Sequence, residues 1–169
     1  MGCDIHMFLE RKTSGNNYQG PRDIQLDRNA KIEEIIEGIP VEERWVSADT
    51  WEIDDNGYWV VSKILGPNSD NRNYYLFAIL ADVRNDGSIE SIDYPRGIPH
   101  DCSSGYSYMT KQWGSDGHSH SYFTLKELLE VDWDLYQKEY ITDFLETIEK
   151  MKSIDDNHEK VRCVFFFDN

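Results

Sequence analysis

The chain has 169 residues, of which 39% are hydrophobic and 13% aromatic, so one globular domain over residues 1–169 with a sizeable core is expected. Acidic residues outnumber basic ones 32 to 17 and the net charge is −15, which argues against binding of duplex nucleic acid or an anionic membrane. No apolar run approaches the ~18 residues of a membrane span, and no signal-peptide pattern is visible, so we expect a cytoplasmic protein.

The first predicted element is a strand over residues 1–10. Alternation gives two faces, Cys3, Ile5, Met7 and Leu9 on one and Asp4, His6, Phe8 and Glu10 on the other. Asp4 and His6 on one face can supply two metal ligands, or a general base and the group that orients it. The alternative is a structural Asp–His hydrogen bond at a sheet edge.

The middle of the chain predicts turns, short strands and one helix. Residues 13–22 are turn-like and residues 23–38 weakly helical or irregular. Residues 45–47 and 58–61 are typical of strands around a hairpin turn at residues 54–57. Helical spacing of apolar residues predicts a buried helix over residues 73–84, with Asn73 as its N-cap and Asp82 and Arg84 in its last turn.

Residues 85–122 show no clear periodicity and are predicted to form a long ordered binding loop over the core. After it, a capping box at residues 124–127 begins a helix, and a longer helix is expected over residues 134–152. The apolar run at residues 161–167 predicts a central strand beside the first one. The fold class is therefore α+β, with a mostly antiparallel sheet, two to four helices and a long ordered loop.

Three histidines lie in two short motifs, Asp-x-His at residues 4–6 and His-x-His at residues 118–120. His118 and His120 share a face if their segment is extended, and with Asp4 and His6 they would supply three imidazoles and a carboxylate. Such a set suits a divalent metal, Zn²⁺, Mn²⁺ or Fe²⁺, which could activate a bound water. The alternative is a serine-rich loop whose histidines bind only backbone groups.

In an alternative interpretation without a metal, the same histidines act as general acid and general base, and arginines bind a phosphate. Arg84 and Arg96 are the candidates for phosphate, and Asp82 would be a further carboxylate of the site. For Arg96, a structural clamp on backbone carbonyls is the alternative. Trp113 is the aromatic residue predicted to contact a ligand, whereas Tyr106, Tyr108 and Tyr122 are predicted mainly to order the loop.

Several segments together resemble a family of small, largely uncharacterised proteins of tailed bacteriophages and prophages. They are residues 1–6, 73–85, 95–99 and 118–121, the last followed by Thr124 and Leu125. The resemblance covers nearly the whole chain and is least distinctive over residues 13–67. It implies a phage accessory protein in the bacterial cytoplasm, of a kind that often interferes with host enzymes or host defence.

Three functions follow as hypotheses. The first is a hydrolase, most simply a phosphodiesterase acting on a small anionic, nucleotide-type ligand through the Asp/His centre. The second is a binding protein that sequesters such a nucleotide signal without turnover. The third is an acidic inhibitor of a host protein, which the charge of −15 permits. The sequence leaves the oligomeric state open, a homo-oligomer included.

Overall fold

A four-stranded antiparallel sheet with the order β2–β1–β6–β5 forms the centre of the protein. The computed structural model describes residues 2–12, 45–53, 55–56, 59–62 and 72–169. The strands within these ranges are β1 (Ile5–Lys12), β2 (Trp45–Ser47), β3 (Thr50–Ile53), β4 (Trp59–Ser62), β5 (His118–Thr124) and β6 (Val161–Phe167). The α-helices in the same ranges are α1 (Tyr74–Ala81), α2 (Ser104–Trp113), α3 (Leu125–Glu130) and α4 (Thr142–Met151). The α+β class predicted from the sequence is confirmed.

β6 is the central strand, and all of its residues are buried. It pairs with β1 from Ile5 opposite Phe167 to Arg11 opposite Val161, and with β5 on its other side. A strand covered on both faces is expected to be apolar throughout, which explains the run of aromatic and β-branched residues. The predicted position of this strand beside the first one is therefore confirmed.

Helices cover the sheet on both faces. One face packs into the main core with α1, α3 and α4, and it carries Ile5, Met7 and Leu9 of β1 with Cys163, Phe165 and Phe167 of β6. The opposite face, which we call the α2 face, carries Phe8, Val164 and Phe166 under Tyr106 of α2. The alternation predicted for the first strand is confirmed by this division.

Local capping signals explain where two helices begin. The Asn73 side chain accepts a hydrogen bond from the Leu76 N–H at 3.0 Å, which caps α1. Thr124 and Glu127 form the predicted capping box at the start of α3. The predicted end of α1 at residue 84 is wrong, because the helix ends three residues earlier, at Ala81. Asp82 adopts a left-handed conformation (φ 58°), and its backbone N–H donates a hydrogen bond to the last turn of the helix, which ends it there.

The helix predicted over residues 134–152 is shorter in the structure. α4 begins at Thr142, and 3₁₀ turns at Trp133–Leu135 and Lys138–Tyr140 precede it. The predicted hairpin forms between β3 and β4, while Trp45–Ser47 pairs with β1 instead. The predictions for residues 13–38 lie outside the described residues. No helix in the described ranges has the length and apolar character required to cross a membrane.

The prediction of one long loop over residues 85–122 is wrong for its second half. Ser103 caps α2 by accepting a hydrogen bond from the Tyr106 N–H at 3.3 Å, and a short 3₁₀ turn and β5 follow. The apolar stripe of α2 is short and mostly aromatic, so its helical period is easily missed in the sequence. It consists of Tyr106, Met109 and Trp113. The irregular part lies along the outer edge of β5, where the Gly97 N–H donates to the His120 carbonyl at 2.8 Å.

A buried ion pair joins the sheet to the start of α2. Arg162 Nε donates to Glu10 Oε2 at 2.6 Å, and the two side chains are only 5% and 0% exposed. Glu10 Oε1 accepts from the Ser103 N–H at 2.6 Å, and Arg162 Nη1 donates to Asp101 Oδ1 at 3.1 Å. Burial raises the pKa of the Glu10 carboxyl, and the Arg162 charge opposes that shift. The pair therefore fixes the N-cap of α2 to the sheet.

Candidate functional site

Two histidines lie on either side of Phe166 on the α2 face, at the end of the sheet where β6 finishes. His6 is directly opposite Phe166 in the β1–β6 register, and the two ring centroids are 4.9 Å apart. The His120 ring, from β5, lies 5.2 Å from the same Phe166 ring. Three adjacent strands therefore bring His6 and His120 to the same face of the sheet, each against one buried aromatic ring.

His6 forms a dyad with Asp168, the residue after β6. Its Nε2 donates to Asp168 Oδ2 at 3.0 Å, and the two side chains are 14% and 11% exposed. Asp168 is itself held by the backbone of Asp4, whose N–H donates to Asp168 Oδ1 at 2.9 Å. With Nε2 as the donor, the free lone pair of the neutral His6 ring is at Nδ1. Asp168 thus fixes both the orientation and the tautomer of His6.

The environment of Asp168 favours its charged form. Burial alone would raise the pKa of this carboxyl, but the hydrogen bonds from His6 and from the Asp4 N–H outweigh burial and lower it below the usual value. The positive charge of Arg72 acts in the same direction. Asp168 is therefore a carboxylate at neutral pH, as an orienting partner of a histidine must be.

Replacing Asp168 with asparagine is expected to destabilise the protein in a pH-dependent way. A carboxyl whose pKa is lowered by folding stabilises the native state above its unfolded-state pKa of about 3.9, and this contribution is lost as the pH falls through the folded-state pKa. Melting curves of the wild type and Asp168→Asn from pH 7 to pH 2 measure this difference. The melting temperatures should converge at the acid end, and a gap that is independent of pH would contradict the assignment.

His120 is held by Tyr106 of α2. The Tyr106 hydroxyl donates to the Phe165 carbonyl at 2.8 Å and lies 3.3 Å from His120 Nδ1. Burial lowers the pKa of His120; the Gly117 carbonyl favours the charged form, and the proximity of His118 disfavours it. The net direction is downward, so His120 is neutral at a pH where an ordinary histidine is already partly charged.

His118 does not join His6 and His120. The register of β5 shifts by one residue between His118, opposite Phe167, and Ser121, opposite Phe165, and Ser119 in between has a positive φ of 52°. This shift uses the residue between the two histidines, so His118 lies against Phe167, with ring centroids 6.2 Å apart. Its Nδ1 is 3.0 Å from the Ser119 hydroxyl, and its Nε2 is buried with no hydrogen-bond partner among the described residues. The predicted shared face of His118 and His120 is therefore wrong.

The four predicted metal ligands, Asp4, His6, His118 and His120, are not gathered around one point. Within the described residues, no group of three or more His, Cys, Asp or Glu side chains is placed to hold a metal ion. The Asp4 carboxylate accepts a hydrogen bond from Arg72 Nε at 2.9 Å, while its backbone holds Asp168. These four residues therefore do not form the predicted metal centre.

The contacts of Arg96 agree with the alternative interpretation of this residue, a structural clamp. Its guanidinium donates to Asp93 at 2.9 Å, to Glu127 at 2.9 Å and to the Tyr122 carbonyl at 3.0 Å. It also lies 4.5 Å from the centroid of the Phe123 ring. These bonds clamp the irregular segment to β5 and α3, and they leave Arg96 poorly suited to bind a phosphate.

The other three predicted ligand-binding residues have separate positions. Trp113, at the end of α2, lies against His6 with ring centroids 4.3 Å apart and ring planes inclined by 42°. Arg84 is exposed, and its Nη2 lies 3.5 Å from Oδ1 of Asn169, the residue after Asp168. Asp82 caps α1, and its Oδ1 accepts from the Asn85 amide at 2.6 Å. The structure thus places Trp113 in the site and Arg84 at its border, and it gives Asp82 a capping role.

Sequence reasoning did not identify Asp168, nor Tyr106 and Phe166 as part of the site. A signal for Asp168 exists in the alternation of β6, because residues 164, 166 and 168 share the face that carries His6. Tyr106 has no comparable signal, since its approach to His120 depends on how α2 packs on the sheet.

Comparison of the chain with protein-family models, with curated proteins and with solved structures found no match. The interpretation of the site therefore depends on its own geometry. The resemblance to phage and prophage proteins stays a prediction.

Proposed function

We propose that this protein is a hydrolase that uses His6 and His120 as an acid–base pair, and that its substrate is a phosphodiester of a small nucleotide-type ligand. The observation that carries the proposal is the His6–Asp168 dyad on the same sheet face as His120, with Phe166 between the two imidazoles. A histidine oriented by a carboxylate is a common way to hold an acid–base catalyst in one tautomer.

The two histidines are assigned opposite parts in a displacement at phosphorus. One imidazole removes a proton from the attacking water, and the other gives a proton to the leaving oxygen. Both rings contact the same Phe166 ring, so the two imidazoles are presented on one face of the sheet. Neither histidine is fully exposed, which limits competition from bulk water.

Two further side chains favour a nucleotide-type ligand. Trp113 is partly exposed beside His6 and offers a ring on which a base can stack. Arg84 brings a positive charge to the border of the site through its contact with Asn169. In a chain of net charge −15, such a local cation is needed to attract an anionic substrate. The setting we propose, an accessory protein of a phage in its host, follows from the resemblance alone.

The proposal predicts that His6→Gln and His120→Gln each lower turnover by about 10²–10⁴-fold, the usual contribution of a general acid or base. The assay measures hydrolysis of bis(p-nitrophenyl) phosphate and of a panel of cyclic mononucleotides and dinucleotides. His158→Gln is the matched control, because His158 lies in a 3₁₀ turn remote from the dyad. Retained turnover in both site variants, or loss of turnover only with unfolding, would show that these histidines are structural.

The low exposure of His6, 14% of its side chain, favours binding without turnover as a second candidate. Trp113 covers part of the His6 ring, so a ligand could be held against the tryptophan without reaching the dyad. Calorimetric titration with the same nucleotides separates the two functions. A sequestering protein binds with wild-type affinity in His120→Gln and releases no product on long incubation.

A further inference from the structure

We propose that Tyr106 is a positioning residue that makes His120 the general base and leaves His6 as the general acid. This inference rests on the proposed function and assigns a direction to its proton transfers. It is carried by the hydrogen bonds that join α2 to the ends of β5 and β6.

The Tyr106 hydroxyl has one proton, and its partners determine where that proton lies. Tyr106 is 0% exposed, and its hydroxyl donates to the Phe165 carbonyl at 2.8 Å. The phenolic oxygen can then only accept at the His120 contact of 3.3 Å, so His120 Nδ1 must carry a proton. In the neutral ring the lone pair is therefore on Nε2.

The surroundings of both groups support this arrangement. Burial strongly raises the pKa of the Tyr106 hydroxyl, so the phenol keeps its proton and stays bound to the Phe165 carbonyl. The titratable groups near His120 are Tyr106 from α2 and His118 from its own strand, with His6 across the Phe166 ring. A half-buried, neutral His120 can accept a proton, which a general base must do.

His6 has the complementary environment. Its Nε2–H donates to the Asp168 carboxylate, so Nδ1 is the ring nitrogen from which a proton can be given to a leaving oxygen. In the proposed step, His120 Nε2 takes a proton from water as the new P–O bond forms. The bond to the leaving oxygen breaks, and that oxygen takes the Nδ1 proton of His6. The diester and water give a monoester and an alcohol, and the two histidines return to their starting states by exchange with solvent.

The test is the tautomer of His120, measured by long-range ¹H–¹⁵N NMR of the imidazole nitrogens in the full chain. The wild type should show a protonated Nδ1 and an unprotonated Nε2. Tyr106→Phe keeps the buried ring but removes the hydroxyl, so the tautomer should change to a mixture. Turnover of bis(p-nitrophenyl) phosphate should fall about 10-fold in kcat with little change in KM. Tyr108→Phe, which removes a hydroxyl from the same helix, is the matched control and should change neither readout.

An Nε2–H tautomer in the wild type overturns the inference without any variant, so the test does not depend on the folding of Tyr106→Phe. An unchanged tautomer in a folded Tyr106→Phe protein that still hydrolyses the diester overturns the role of Tyr106 alone. The expected tautomers with no hydrolysis by the wild type overturn the proposed function, and with it the role of His120 as base.

Discussion

Replacing Arg162 with methionine is expected to lower the free energy of unfolding by about 3–5 kcal/mol, because it leaves a buried carboxylate without its partner. Glu10 is completely buried, and it loses the 2.6 Å bond from Arg162. Arg162 also lies 4.0 Å from the centroid of the Trp45 ring, so packing is lost as well as charge. Urea denaturation at neutral pH measures the change.

The pH dependence of the Arg162→Met variant separates the charge effect from the packing effect. Burial already raises the pKa of Glu10, and removing the opposing Arg162 charge raises it further. A carboxyl with a raised pKa stabilises the native state below its unfolded-state pKa of about 4.3, and this contribution is lost as the pH rises through the folded-state pKa. The destabilisation should therefore be greater at pH 7 than at pH 4.

The double variant Glu10→Met/Arg162→Met is the control for the ion pair. Replacing both partners with apolar side chains should restore much of the stability, because no charge is then left buried. If the double variant is as unstable as Arg162→Met and the instability of Arg162→Met does not depend on pH, lost packing and not the isolated charge is the cause of the defect. The double variant also loses the bond from the Ser103 N–H to Glu10, so its recovery should be partial.

Phe166→Ala is expected to cost about 3–5 kcal/mol of stability and to abolish any activity of the site. The ring is fully buried and lies between His6 and His120, with Trp113 and Tyr106 also around it. Removing it creates a cavity at the point where the three strands position the two histidines. Chemical denaturation and the diester assay measure the two effects.

Leu135→Ala is the control for Phe166→Ala, because Leu135 is 70% exposed and its truncation should change stability by no more than about 0.5 kcal/mol. Phe166→Leu keeps most of the buried volume and should recover a large part of the stability. Full activity in Phe166→Ala would mean that the positions of the histidines do not depend on this ring.

The sequence predicts the parts of the fold that depend on local patterns. The alternation of Cys3 to Leu9, the Asn73 cap and the Thr124–Glu127 capping box are confirmed because each is determined within a few residues. α2 is missed because the residues that cover the sheet, Tyr106 and Trp113, are amphipathic and stand in a polar segment. Its burial becomes clear only when the second face of the sheet is known.

The sequence predicts several residues of the candidate site, but it does not predict how they come together in space. His6 and His120 are both among the residues singled out from the sequence, and they share a face in the structure. His118 is separated from them by one extra residue in β5, and a bulge of this kind cannot be read from a serine between two histidines. The Glu10–Arg162 pair is equally hidden, because 152 residues separate its partners along the chain.

The position of β6 between β1 and β5 has a consequence for synthesis on the ribosome. β6 is translated after every other described element, yet it is the only strand that pairs with both β1 and β5. Until it emerges, His6 and His120 belong to strands with no common neighbour, and the carboxylate partner of His6 has not been made. The nascent chain must therefore remain without a site, and closing the sheet requires contacts between residues far apart in sequence, which is slow. Activity, if measured during translation, would appear only after β6 and Asp168 have left the ribosome.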